Sequence, residues 1–144
     1  MDVLYSVSTD GGETWKSPVD ITPRLKFGVT AQWQPWSAVT PSGKTLFVAY
    51  YDRSYRQCES TGCNDITAAA ISNPAGTGVP VKFVRVTTDS MPNLTAANNP
   101  VQSGFLGDYM WVATDPNDHA HIVWADTNGL RGAVEEDIYY ATLR

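Results

Sequence analysis

Two arginines, a tyrosine and three aspartates stand at the ends of apolar runs, where rigid backbone can hold a side chain against solvent. Arg53 and Arg131 each offer a planar fork of N–H donors that stays charged and matches the two oxygens of a carboxylate. The competing reading is a loop salt bridge, for Arg53 with Asp52 or Glu59. Trp33, Asp52, Asp108 and Asp126 stand with them as candidate binding residues, and Tyr109 follows Gly107-Asp108 as a candidate phenol. Cys58 and Cys63 are separated by four residues. A disulfide pinching that short loop is the expected pairing, worth ~2 kcal/mol, with two free thiols as the alternative. A metal site is not expected, because no further Cys completes a ligand set. His119 and His121 read as a surface turn for the same reason, and nothing in the sequence calls for a cofactor. A disulfide would place the protein in an oxidising compartment, secreted or periplasmic.

Those residues must be positioned by strands. The chain has 144 residues, 42% hydrophobic and 11% aromatic, which excludes a disordered chain. The net charge is -5 with no cluster of Lys or Arg, so a nucleic-acid partner is not expected. No apolar run reaches bilayer length, and a membrane association is not expected either. Strand-like sequence follows Met1-Asp2 at once, so any targeting segment is expected to lie outside this chain. Five Trp, seven Tyr and frequent Val and Thr fall in short runs cut by eleven Gly and nine Pro. The pattern predicts an all-β chain with nine strands, at 3–8, 15–21, 36–41, 46–52, 65–72, 81–87, 109–115, 121–126 and 137–143. Residues 46–50 are apolar on both faces and predict a strand buried between sheets, whereas the charged run 81–86 predicts an edge.

An internal repeat orders these strands. Asp2-Val3-Leu4-Tyr5, Asp65-Ile66-Thr67-Ala68 and Asp137-Ile138-Tyr139-Tyr140 recur along the chain at nearly regular spacing. Trp36-Ser37-Ala38 aligns with Trp111-Val112-Ala113, and Val48-Ala49-Tyr50-Tyr51-Asp52 with Ile122-Val123-Trp124-Ala125-Asp126, again one repeat apart. Four short antiparallel strands per repeat predict β-propeller blades, about two of them. A single unit is expected: the end of one blade and a connection at 1–35, a complete blade and connection at 36–108, and three strands of the next at 109–144. The long connections 22–35, 53–64, 88–108 and 127–136 then share one end of the blades, the end expected to bind.

Ser8-Thr9-Asp10-Gly11-Gly12-Glu13-Thr14-Trp15 satisfies the Asp-box, Ser-x-Asp-x-Gly-x-Thr-Trp. Its side chains predict a folded turn, with Asp10 accepting turn amides, Gly12 at positive φ and Trp15 filling the space between blades. With this motif, Tyr51-Asp52-Arg53, Phe105-Leu106-Gly107-Asp108-Tyr109 and Glu136-Asp137-Ile138-Tyr139-Tyr140 resemble the last blades of the sialidase-like (exo-α-sialidase, BNR/Asp-box repeat) proteins. The resemblance implies a six-bladed propeller and a glycan partner, sialylated in true sialidases. It implies that Tyr109 is the nucleophile and that Arg53 and Arg131 are carboxylate ligands. It also implies that this chain lacks the family's early Arg-Ile-Pro arginine and the blade with the acid Asp. Activity is therefore expected only if other copies or further blades complete the ring; the alternative is a non-catalytic module binding glycan or protein. An open set of blades exposes sheet faces, so a homo-oligomer or pairing with remaining blades is expected.

Overall fold

A computed structural model of the chain describes residues 1–23, 29–76, 81–129 and 132–144. Nine strands are present among them, in three antiparallel sheets. The first sheet pairs β1 (Leu4–Tyr5) with β2 (Val19–Asp20). The second runs β3 (Gln32–Val39), β4 (Thr45–Asp52), β5 (Asp65–Ser72) and β6 (Val81–Arg85). The third runs β7 (Trp111–Thr114), β8 (Ala120–Asn128) and β9 (Val134–Leu143). Within each sheet, every strand bonds to its neighbour in sequence. No closed sheet forms among the described residues; the three sheets are an open stack.

Strand β4 explains the stack. Its even- and odd-numbered residues point to opposite faces, and both are apolar. Val48 and Tyr50 join Ala69 and Ile71 of β5 against Val3 and Ile21 of the first sheet. Ala49 and Tyr51 join Ile66 and Ala68 against Val112, Ile122 and Trp124 of the third. The second sheet is thus the middle layer, and the expectation for 46–50 is met. Strand β6 is the edge that its charges predicted.

Several boundaries differ from expectation, among them that of β3, which starts at Gln32, four residues before the expected 36–41, and so carries Trp33 and Gln34 on a strand rather than in the connection 22–35. The expected strands 3–8 and 15–21 shorten to two-residue pairs, although backbone bonds Lys16 N to Val7 O and Ile21 N to Val3 O, both 3.0 Å, carry the hairpin further. A two-stranded sheet has no third strand to hold a long ladder regular. Strand β7 starts at Trp111, two residues late, and leaves Tyr109 outside it. A single turn of helix, α1 (Cys58–Thr61), occupies the β4–β5 connection; Gly62 ends it at φ 77°, its N–H donating to Cys58 O at 2.8 Å. Cys58 and Cys63 form the expected disulfide across this turn. No helix among the described residues is long and apolar enough to cross a membrane.

The Asp-box folds as its residues dictate. Ser8 Oγ donates to Asp10 Oδ1 at 2.7 Å and accepts from Gly12 N at 2.8 Å; Thr14 N donates to Asp10 Oδ1 at 3.0 Å and its hydroxyl bonds Asp10 Oδ2. Gly12 adopts φ 96°, which an L side chain rarely tolerates. Trp15 departs from expectation: its indole donates back to Gly12 O at 3.2 Å and the residue stays 65% exposed, because the first sheet is an outer layer and nothing described stacks on it. The Thr14 hydroxyl and amide, then Ser8, hold the Asp10 carboxyl well below the usual carboxylate range. A depressed folded pKa contributes stability above the ordinary carboxylate range and loses it as pH falls through the folded value. Asp10→Asn is therefore expected to lower stability at neutral pH while narrowing its gap to wild type in strong acid. Urea titrations at neutral and acid pH check this, and an unchanging gap would contradict it.

Candidate functional site

A cleft of about 330 Å³ opens where long connections meet. Trp33 and Gln34 line it from the start of β3, Arg53 from the end of β4, and Asn93, Leu94 and 104–107 from the connection to the third sheet. The site is built upward from Tyr51. This buried residue donates its hydroxyl to Ala125 O at 2.9 Å, which locks the ring between the second and third sheets. Burial pushes its ionisation far above the usual tyrosine range, so it stays a neutral donor. Trp33 stacks on that ring at 5.7 Å and 12°. The Arg53 guanidinium lies 5.0 Å over the Trp33 ring, and its Nε donates to Asn64 Oδ1 at 3.0 Å. Asn64 is itself fixed by paired backbone bonds with Met91, at 2.9 and 2.7 Å.

Arg53 thus makes neither of the salt bridges weighed for it. The Glu59 carboxylate accepts Ala31 N at 2.8 Å. Asp52 is buried and taken up by Gln32 Nε2 at 2.9 Å, Ser54 N at 2.8 Å and Thr67 Oγ1 at 2.6 Å. No carboxylate pairs with Arg53 among the described residues. A guanidinium held over an aromatic ring, with no acceptor for its terminal nitrogens among the described residues, is prepared for an anion. Gln34 adds a second donor. The β3–β4 register shifts between Trp33 and Trp36, Gln34 takes φ 54°, and its Nε2 is buried without a partner among the described residues. Bulges re-aim side chains in this way. The charged side chain lining the cleft is a cation, so the site suits an anionic ligand. No group of His, Cys, Asp and Glu that could hold a metal ion stands among the described residues.

The remaining candidates separate from this cleft. Asp126 is buried and structural, accepting Trp124 Nε1 at 3.0 Å and Asn128 N at 2.9 Å. Asp108 is exposed and Tyr109 is 76% exposed, and neither lines the cleft. Arg131 lies outside the described residues. His119 Nδ1 and His121 Nε2 stand 3.1 and 3.4 Å from the same Asp115 Oδ2, in the β7–β8 turn. The His119 N–H holds the Asp115 carboxyl down at about 2, with help from the Asn117 N–H.

Sequence reasoning did not bring Asn93 or Glu136 to the site. Gly107 lines the cleft at φ 75°, and a Cβ built there would stand 3.2 Å from Glu136 Oε1. Burial raises the Glu136 carboxyl above its usual value. Neither position carries a local signal, since each arrives through a connection whose path the core decides. Compared with known proteins, the chain matches no family model, no curated protein and no solved structure.

Proposed function

We propose that the chain is part of a secreted, sialidase-like propeller that binds glycans, with the Trp33–Arg53 cleft taking the carboxylate of an acidic sugar. One observation carries this reading: the Arg53 guanidinium lies over the Trp33 ring and is anchored through Nε, yet has no carboxylate partner among the described residues. Sugar faces pack on aromatic rings, and a guanidinium fork selects the acidic member among them. The sialidase reading is supported by the Asp-box turn, whose hydrogen bonds follow its motif, and by the strands falling into sheets of two, four and three. The disulfide is compatible with an oxidising compartment.

A non-catalytic binding module is the second reading, favoured by the absence of Tyr109 and Asp108 from the cleft lining. The two readings share a binding step and differ in turnover. A sialylated oligosaccharide is expected to bind the chain in calorimetry, and its neutral asialo counterpart not to. Arg53→Ala is expected to weaken that binding about 10- to 100-fold, the range for losing a charged hydrogen-bonding group. Equal affinity for the two sugars, or an unchanged affinity in Arg53→Ala, would remove the proposal. A fluorogenic sialoside separates the readings: turnover abolished by Tyr109→Phe supports the hydrolase, and binding without turnover supports the module.

A further inference from the structure

Strand β3 breaks its alternation at the cleft. Gln32 sends its side chain to the face of Asp52, where Nε2 donates to the Asp52 carboxylate at 2.9 Å. Trp33 takes the opposite face and stacks on Tyr51. A regular strand would return Gln34 to the face of Gln32. Instead the register shifts after Trp33, Gln34 takes φ 54°, and Trp33 and Gln34 line the same cleft with Arg53. A non-glycine residue at positive φ is strained, and such strain persists where the surrounding fold imposes it, often at binding sites.

Unpaired polar atoms gather at the same corner. Among the described residues, three buried side-chain atoms lack a hydrogen-bond partner: Gln32 Oε1, Gln34 Nε2 and Asn64 Nδ2. Gln32 holds Asp52, the residue before Arg53, and Asn64 holds Arg53 itself through Nε. Of these three side chains, that of Gln34 lines the cleft and the other two do not. A buried N–H without an acceptor destabilises a fold, so native proteins seldom keep one that nothing else engages. Gln34 as a residue is only partly buried, and the last side-chain torsion of a glutamine turns in a broad well. Its amide can therefore meet a ligand without any backbone movement.

We infer that Gln34 is a specificity-determining residue of the cleft, donating Nε2 to the carboxylate that Arg53 binds; this rests on the reading of the cleft as an acidic-sugar site. The two side chains contribute differently. Arg53 supplies the charge, from a guanidinium held by Trp33 and Asn64. Gln34 supplies a neutral donor whose direction is set by the bulge. One positive charge with one neutral donor suits a singly charged, planar carboxylate. The strained backbone at Gln34 is thus retained for binding, and folding does not require it. A glycine at this position would fold at least as stably and bind less well.

Calorimetric titration with sialyllactose and urea denaturation, on the full chain and on two variants of it, test this. Glycine adopts positive φ freely, so Gln34→Gly removes the amide and the strain together. Its affinity for sialyllactose is expected to fall about 10-fold, while its urea midpoint stays at or above that of wild type. Gln34→Glu keeps the size of the side chain but sets a negative acceptor where the donor was, and its affinity should fall about 100-fold. Wild-type affinity in Gln34→Gly would overturn the inference and leave the Arg53 reading standing. Weaker binding together with a lowered urea midpoint would assign Gln34 to the fold and overturn it as well. Undiminished binding by Gln34→Glu would show that no donor is needed there, with the same result. If wild type itself does not bind sialyllactose, the acidic-sugar reading of the cleft fails, and this inference fails with it.

Discussion

Asp65→Ala is expected to cost about 3–5 kcal/mol, the range for breaking a buried ion pair by removing one partner. Asp65 is fully buried at the start of β5, where its carboxylate gathers donors from β6 and from the connection that follows it. Arg85, at the end of β6, donates through Nε at 2.9 Å and Nη2 at 2.7 Å. Thr87 donates to the same oxygen at 2.7 Å, and Ser90 to the other at 2.9 Å. The Arg85 guanidinium also rests 4.9 Å over the Tyr55 ring, which leaves it little freedom to seek water. Removing the carboxylate strands a mostly buried cation and two hydroxyls together. Urea denaturation with an unchanged slope measures the loss. The Asp65→Ala, Arg85→Ala double variant should lose clearly less than the sum of the two, because the second removal takes away the stranded charge. A loss under about 1 kcal/mol in Asp65→Ala would place the network with weak surface pairs and refute its role as an anchor.

Tyr51→Ala is the second large effect, at about 3–5 kcal/mol for emptying a buried aromatic site. The carboxylate and the aromatic anchor act differently. Asp65 ties one edge of the second sheet, whereas Tyr51 sits between two sheets and beneath the cleft. Deleting its ring removes core packing with Ile66, Met91 and Trp124 and also the floor on which Trp33 stacks. Affinity for an acidic glycan should therefore fall together with stability. Tyr51→Phe separates the two effects: it keeps the ring and the Trp33 stack but leaves Ala125 O without its 2.9 Å partner. We expect about 1 kcal/mol of destabilisation, with glycan affinity preserved. Calorimetric binding and chemical denaturation of both variants provide the check. Full affinity in a folded Tyr51→Ala protein would show that Trp33 holds its place unaided.

Much of this architecture was legible because it rests on short-range pattern. The two-sided apolar run 46–50 could only be an inner strand, and β4 is the middle of the stack. Charges along 81–86 predicted an edge, and β6 is one. The Asp-box turn follows from hydrogen bonds that span four residues, so its motif carries its geometry. The site was legible in part. Trp33 and Arg53 were chosen for residue type and strand-end position, and both line the cleft. Asp52 and Asp126 were chosen on the same grounds and are buried in structural networks. Position at a strand end does not tell an aspartate facing the cleft from one facing the neighbouring backbone.

What the sequence determined by itself is the strand count, the two-sided burial of β4, the Asp-box turn and the Cys58–Cys63 pairing. Each depends on residues within a few positions of one another or on alternation along one strand. Only the tertiary structure decided that Tyr51, Trp33 and Arg53 form one column, that Gln34 is turned inward by a bulge, and that Asn93 lines the cleft with Glu136 behind Gly107. These contacts join residues that are distant in the chain, and their geometry is set by how three sheets pack. Trp15 marks the boundary between the two: its turn was written locally, but whether its indole would be covered depended on a neighbouring layer.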